Sequence, residues 1–397
     1  MVTKAIHIFM LLATISLGCI ACSDETAPQP VPDGDGQLRI AYKIAGVSMS
    51  RAEGDEDKTE PGWDNNWNEN EIDRIDLFVS DENNKCVHHI VEKNIDVTDA
   101  QQEDSYTNFK KNGTLTELTY EEVEENMDNY SYYMVANCSS LDGINETDFT
   151  LDDLKEKLTP DLTFNQQQTS FAMDGTAEPT REGDKEIALC FTLSRAAVKI
   201  RLSVVKENEN GEESIIEGCT FRLCNYVLDG TSVLETGENY CEGEASSRRV
   251  QNSEELSWGN VLKYGNKAVF YSYPNDWFGR DDDVPLLKAD GTFVDEDIYA
   301  KDDLIVEDKQ TCIVLTATID GVTTEYKVPV NLQIDKNNDK VSFTADEITD
   351  LRNSYYRIRR NHIYDITTKL TGPESMEIEV NAWNEKGNMD VIFGGNN

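Results

Sequence analysis

A chain of 397 residues is longer than one hydrophobic core usually sustains, so two domains are expected. Its formal net charge of -40 excludes a general role in binding nucleic acid and argues against adsorption on anionic headgroups. A solvated, aggregation-resistant exterior accounts for that charge, with a calcium-binding or halotolerant surface as the alternative. Hydrophobic residues, at 38%, still suffice for a core and confine disorder to local stretches.

Residues 1–21 begin with Lys4 and continue as an apolar run too short for a membrane span, the pattern of an export signal. The run ends in Gly18-Cys19-Ile20-Ala21-Cys22-Ser23-Asp24-Glu25. Small residues directly before a cysteine resemble a bacterial lipobox, in which the thiol is joined to diacylglycerol. Cys22 is the expected lipidation site, because Ala21 precedes it and Ser23-Asp24-Glu25 resembles an acidic sorting tag; Cys19 is the runner-up. More than one acyl chain, at roughly 0.8 kcal/mol per buried methylene, would anchor such a chain stably. Residues 26–36 are a proline- and glycine-rich tether.

Residues 37–51 read QLRIAYKIAGVSMSR. Leu38, Ile40, Tyr42 and Ile44 fall at every second position with Arg39 and Lys43 between them, which predicts a half-buried β-strand. Burying those four side chains at roughly 1.5–3 kcal/mol each would hold the strand by about 6–12 kcal/mol, an upper estimate. After Arg51 comes an acidic, polar run too charged to pack, so a good strand ends at a basic residue in a segment open to a protease. The expectation is a removable strand, with cleavage between Arg51 and Ala52.

From Ile72 the pattern is that of a β domain. Two alternating runs flank residues 81–85 as a hairpin, and Asn112-Gly113 marks a second turn. Residues 130–137 form an aromatic strand suited to a sheet interior. Residues 150–158 read as a short helix with Thr150 as N-cap, and 166–184 as a loop. Residues 186–205 look like two strands across a domain junction, with Ala196, Val198, Ile200 and Leu202 on one face and Lys199, Arg201 and Ser203 facing away. Many short strands with turn signals follow, ending in a short alternating strand that carries Met389, Val391 and Phe393. The expected fold is all-β, with two β-sandwich (transthyretin-like, Greek-key) domains in tandem, 52–194 and 195–397, after a signal peptide (1–21) and a tether plus strand (22–51).

The residues offer little for catalysis. No phosphate loop, nucleophile elbow or HExxH motif is present. His88 and His89 are adjacent on a strand, so they point to opposite faces and cannot chelate one ion together. Asp335, Asn337 and Asp339 copy the spacing of a calcium loop, but Lys340 and Asp346 stand where glycine and glutamate belong, so a turn is expected. No enzyme, metal site or cofactor is expected. Seven cysteines beyond the leader are odd in number and widely spaced, so no disulfide framework is legible.

The arrangement resembles the FimA/Mfa fimbrillin family, the type V pilus subunits of outer-membrane anaerobes. The resemblance rests on the lipobox at Cys22, the strand ending at Arg51, and IDLFVSDENNK as a first hairpin. It continues through YYMVANCSSLDGI with TLDDLKEKL, LSRAAVKIRL, and RNHIYDITTKLTGP with VNAW. It implies an outer-membrane lipoprotein precursor, held in lipid through Cys22 and cut after Arg51 by an arginine-specific, trypsin-like protease. The leading strand then leaves, and a terminal strand of another fimbrial subunit, in a homo- or hetero-polymer, fills its place. The donor candidate is the C-terminal stretch carrying Met389, Val391 and Phe393, with completion of the chain's own sheet as the alternative. A tip or accessory adhesin with a host or bacterial surface ligand, and an uncleaved anchor subunit, are the competing roles.

Overall fold

A computed structural model describes residues 36–45 and, with short interruptions, 69–95, 106–141, 150–228, 250–276, 298–300, 311–331, 342–344 and 357–394. The fold is all-β, and the strands gather into three main sheets. The first sheet contains β1 (Gln37–Ile44), β2 (Arg74–Ser80), β3 (Cys86–Lys93), β4 (Thr107–Asn108), β5 (Ser131–Ala136), β6 (Met173–Ala177), β7 (Pro179–Gly183) and β8 (Glu186–Arg195). Its order is β3-β2-β5-β6-β8-β1-β4, with β7 also on β8.

β2 and β3 pair antiparallel across the expected hairpin. There Asp81 Oδ1 accepts from the main-chain N–H of Asn83 and Lys85 at 2.9 Å each, and Asn84 takes φ 62°. Asparagine tolerates that left-handed conformation better than most residues. β5 lies between β2 and β6, and both of its faces are covered. Tyr132 and Met134 enter one core with Leu77 and Val79, while Tyr133 and Val135 enter a second with Phe78, Leu151 and Leu154. A period of two thus feeds two cores from one strand.

The polar stretch 166–184, expected as a loop, contains β6 and β7 instead. Hydropathy misses β6 because its buried polar residue is paired: Asp174, 2% exposed, accepts from Tyr133 Oη at 2.8 Å and from the Arg360 guanidinium. β6 meets β8 through only two register pairs, Met173–Arg195 and Asp174–Ser194. This narrow seam folds the sheet back on itself, so that Ile75 and Leu77 on one side pack in the same core as Ile187 and Leu189 on the other. Gly175 sits at the seam, where an added Cβ would lie 2.3 Å from the main-chain oxygen of Thr192.

A short helix, α1 (Tyr120–Glu125), is absent from the sequence reading. Its signal is present: the Thr119 hydroxyl accepts from the Glu122 N–H, at the Thr-x-x-Glu spacing of a capping box. The same device starts the turn at residues 151–154, where Thr150 Oγ1 accepts from Asp153 N at 3.0 Å and Asp153 Oδ2 accepts from Thr150 N at 3.1 Å. Thr150 is therefore the N-cap expected of it.

The second main sheet contains β9 (Val198–Glu207), β10 (Glu213–Ile215), β15 (Lys263–Tyr264), β16 (Lys267–Ser272), β23 (Ile363–Gly372), β24 (Ser375–Trp383) and β25 (Met389–Gly394). Its order is β15-β16-β9-β23-β24-β25, with β10 on β9. The third contains β11 (Thr220–Cys224), β14 (Leu256–Ser257), β19 (Cys312–Ile319) and β20 (Val322–Pro329), in the order β14-β11-β19-β20. Three two-stranded ribbons complete the described strands: β12 (Tyr226–Val227) with β13 (Val250–Gln251), β17 (Asn275–Asp276) with β22 (Arg357–Ile358), and β18 (Ile298–Ala300) with β21 (Ser342–Thr344).

The second and third sheets pack face to face. Val198, Ile200 and Leu202 of β9 share one core with Phe221, Leu223, Leu315 and Val328. Between β8 and β9 only Ala196 and Ala197 intervene, so the chain passes from the first sheet to the second there. β16 serves both sides: Ala268 and Phe270 join the core of the second and third sheets, Val269 and Tyr271 that of the first. Lys199 and Arg201 do face away from Val198 and Ile200, but not into water. They are 5% and 2% exposed and held in ion pairs, Lys199 with Glu69 at 2.8 Å and Arg201 with Asp365 at 2.5 Å.

Candidate functional site

The site is the seat of β1, built from β8, β7, β4 and α1. β1 runs parallel to β8 along its whole length, from Gln37 opposite Glu186 to Ile44 opposite Leu193. Two main-chain bonds mark its ends: Gln37 N to Lys185 O at 2.8 Å and Ala45 N to Leu193 O at 2.7 Å. On the other side β4 covers only Ala41 and Tyr42 in register, with a further bond from Phe109 N to Ile40 O at 2.9 Å. One long neighbour and one very short one hold the strand.

The four apolar residues lie on one face. Ile40 and Tyr42 are buried in the core with Ile187, Leu189 and Phe191, and Leu38 and Ile44 pack half-buried against it. With two of the four only half-buried, their contribution falls toward the lower end of the expected range, on the order of 6 kcal/mol. On the opposite face Arg39 pairs with Glu182 of β7 at 2.5 Å, and the Lys43 ammonium lies 5.2 Å from the centre of the Tyr106 ring. Both basic residues keep their charge near the surface and add little to the grip.

Entry to the seat is set by Gly36 and Tyr120. A Cβ on Gly36 would overlap the Tyr120 ring, so the chain passes flush against α1 only because that position carries no side chain. Tyr120 is fixed in turn: its hydroxyl donates to Glu124 at 2.9 Å, and Arg181 Nη1 reaches the same carboxylate at 2.9 Å. The Arg181 and Tyr120 hydrogen bonds hold the Glu124 carboxyl below its ordinary range.

The chain leaves and returns at one place. Ala45 is bound to Leu193, and Arg195, on the same strand, donates from Nε to the Glu69 carbonyl at 3.4 Å. Ala45 and Glu69, which flank residues 46–68, are thus both bound to the C-terminal end of β8. Arg51 and Ala52 belong to that connection and lie outside the described residues, as do Cys19, Cys22, the Asn112-Gly113 turn and the Asp335–Asp339 stretch.

The C-terminal stretch forms β25, which pairs antiparallel with β24 as the last strand of the second sheet. The register sets Met389, Val391 and Phe393 opposite Ala382, Val380 and Ile378. The donor candidate of the sequence analysis, for which completion of the chain's own sheet is the alternative, is thus seen here paired with β24.

No protein-family model and no curated protein matches the chain. Solved structures do. The chain is similar to the tip fimbrial protein Mfa3 from Porphyromonas gingivalis with C-terminal truncation. That match has 14% sequence identity and a TM-score of 0.48, covering 87% of this chain and 98% of that one. It is also similar to a fimbrial assembly protein from Parabacteroides distasonis ATCC 8503, at 13% identity and a TM-score of 0.44, covering 89% of this chain and 98% of that one.

His88 and His89 each pair with a carboxylate. His88 Nε2 lies 2.6 Å from Glu122, whereas His89 Nε2 lies 2.7 Å from the buried Asp76 and its ring stacks on Phe78. Among the described residues no group of three or more His, Cys, Asp or Glu could hold a metal ion, and no helix is long and apolar enough to cross a membrane. Cys86 and Cys219 are buried thiols, each pushed up to about 11 by burial.

Proposed function

We propose that the chain is a structural subunit of a cell-surface fimbria that supports adhesion. In this reading it is exported as an outer-membrane lipoprotein through Cys22, cut between Arg51 and Ala52 by a trypsin-like protease, and polymerised by strand exchange with other fimbrial subunits. The sequence resemblance suggests the class. The observation that carries the mechanism is the seat of β1: an N-terminal strand, gripped along one edge by β8 and met on the other by the short β4.

A strand so placed is stable while tethered, because its departure would have to break the core contacts and the β8 ladder without gaining free translation. One cut in residues 46–68 turns that unimolecular opening into a dissociation favoured by dilution. The vacated edge of β8 would present Ile187, Leu189, Phe191 and Leu193 beside an unpaired ladder, which invites an incoming strand by β-augmentation. Because β1 is parallel to β8, no hairpin turn is lost when it leaves. The donor assigned here is β25, the last strand of the second sheet, which pairs with β24. The same reading keeps a division into 52–194 and 195–397, supported by the passage of the chain between sheets at Ala196 and Ala197.

Low-dose trypsin on the precursor tests the proposal. The expected results are a new N-terminus at Ala52 and SDS-resistant ladders, with Arg51→Ala remaining monomeric. Ladders formed equally well by an Arg51→Ala chain that is cut neither at position 51 nor at Lys58 would remove the protease step. A synthetic peptide of residues 36–45, added in excess, is expected to suppress ladders by refilling the seat. Ladders unaffected by it would place the acceptor elsewhere. An isolated surface protein that is uncut and still lipidated at Cys22 would instead indicate an anchor subunit.

A further inference from the structure

We infer that Cys224 and Cys312 are the two halves of a cross-strand disulfide site, closed by a small-molecule disulfide oxidant once the chain has been exported. The two residues stand directly opposite each other in the antiparallel pairing of β11 with β19, Cys224 as the last residue of one strand and Cys312 as the first of the other. Directly opposed residues in an antiparallel ladder have Cα atoms roughly 4.5–5.5 Å apart, inside the window of about 4.4–6.8 Å that disulfides occupy. Each thiol is the largest influence on the other's acidity, so the two side chains lie close together, and Cys224 Sγ also donates to the Arg222 carbonyl at 3.7 Å. Both are free thiols in this structure, so closing the bond needs side-chain rotation rather than movement of the strands.

The surrounding backbone keeps the pair in register. Just beyond Cys224, Asn225 turns into the left-handed region at φ 56°, its N–H donates to Asn252 Oδ1 at 2.9 Å, and its carbonyl accepts from Thr311 Oγ1 at 2.7 Å. Thr311 immediately precedes Cys312, so both strands are pinned one residue outside the thiols.

The two sulfurs differ in the way an exchange reaction needs. Cys312 is 1% exposed, whereas Cys224 is half-buried and within reach of a small oxidant. The hydrogen bond from the Cys312 thiol makes the Cys224 thiol the more acidic; burial opposes this and nearby Arg222 assists it. Glu325 and Lys327, on the facing strand β20, place one charge of each sign beside the pair. In the first step the Cys224 thiolate attacks one sulfur of the oxidant, forming a mixed disulfide and expelling one small thiolate. In the second, Cys312 loses its proton and its sulfur attacks Cys224, expelling the other small thiolate. Two protein thiols are oxidised to one disulfide, the oxidant is reduced to two thiols, and the protons end on the leaving groups.

The bond would close residues 225–311 into a covalent loop and staple β11 to β19 at the point where both leave the sheet. The inference goes beyond the fimbrial proposal and stands apart from cleavage at Arg51. Its test is peptide mapping of the full-length protein without reduction, after incubation with oxidised glutathione. The expected product is a Cys224–Cys312 linked peptide, with a melting temperature roughly 10 °C above that of the reduced protein. Cys312→Ser is expected to stop at a glutathione adduct on Cys224. Full alkylation of both cysteines after oxidation of the wild type would overturn the inference, as would a bridge from Cys224 to Cys241.

Discussion

Glu69 and Lys199 meet at 2.8 Å with both side chains almost wholly buried, and Tyr271 donates to the same carboxylate oxygen at 2.5 Å. Glu69 lies just after the connection that contains Arg51, while Lys199 and Tyr271 belong to the second sheet. The chain downstream of the proposed cut is thus fastened independently of β1, and release of β1 would leave that fastening in place.

Glu69→Gln should remove one charge and leave the Lys199 ammonium buried without its counter-ion. The expected loss is about 3–5 kcal/mol of unfolding free energy, read from urea denaturation. Glu69→Gln combined with Lys199→Met should be less destabilised than Glu69→Gln alone, because no uncompensated charge remains. A double variant as weak as the sum of its single changes would show that the two residues act separately.

The grip on β1 should be uneven along the strand. In the uncut chain, Ile40→Ala and Tyr42→Ala delete fully buried side chains and should cost about 2–5 kcal/mol each. Leu38→Ala and Ile44→Ala, only half-buried, should cost less. Trypsin offers a local readout in an Arg51→Ala, Lys58→Ala background, where it cannot cut the 46–68 connection, since Arg39 and Lys43 lie within the strand and are shielded while it stays paired with β8. Tyr42→Ala should expose both bonds to cleavage, and Leu38→Ala should change them little. Equal trypsin sensitivity in the two variants would contradict this picture of the seat.

Gly175→Ala places a methyl group against the main-chain oxygen of Thr192, where backbone rather than a flexible side chain must yield. A loss of about 1–3 kcal/mol is expected, and it should fall on the first sheet because the seam between β6 and β8 is where that sheet folds over. Hydrogen exchange of the β6 and β8 amides should rise relative to those of β19 and β20. A uniform rise across all sheets would argue against a local corner.

Those elements differ in how much of them can be read from the sequence. β1 is legible because Leu38, Ile40, Tyr42 and Ile44 alternate with Arg39 and Lys43, so hydropathy carries the period although Ala41 on the other face is buried too. The β2–β3 hairpin is legible from its Asp-Glu-Asn-Asn-Lys turn. β6 is not, because Asp174 is buried by virtue of partners far away in sequence, Tyr133 and Arg360, which no local window contains. Lys199 and Arg201 mislead for the same reason: alternation correctly puts them on the far face, but the sequence does not reveal that Glu69 and Asp365 are there to receive them. α1 is a miss of another kind. It is too short and acidic to show a helical period, yet Thr119 and Glu122 carry its capping signal at the right spacing. The parallel pairing of β1 with β8 has no sequence signal at all, since register between distant strands is a property of the assembled core.

Alkaline pH should unfold the protein through its buried tyrosines. Tyr133 is lifted well above its ordinary value, first by burial and then by the charge and hydrogen bond of Asp174; burial also lifts Tyr132. In the unfolded chain both phenols ionise near pH 10. Above that pH the folded state holds protons that the unfolded state has released, so stability falls with rising pH. Their contribution is fully present below about pH 10 and is lost as pH climbs toward the folded values. Tyr133→Phe removes one of these protons, and Asp174 keeps Arg360 as its partner. The variant's stability should therefore fall less steeply between pH 10 and the unfolding limit, even if it starts lower at pH 8 for want of the Tyr133 hydrogen bond. Urea midpoints measured at half-unit steps from pH 8 upward give the two slopes directly. A Tyr133→Phe slope as steep as that of the wild type would mean that other groups drive the alkaline transition.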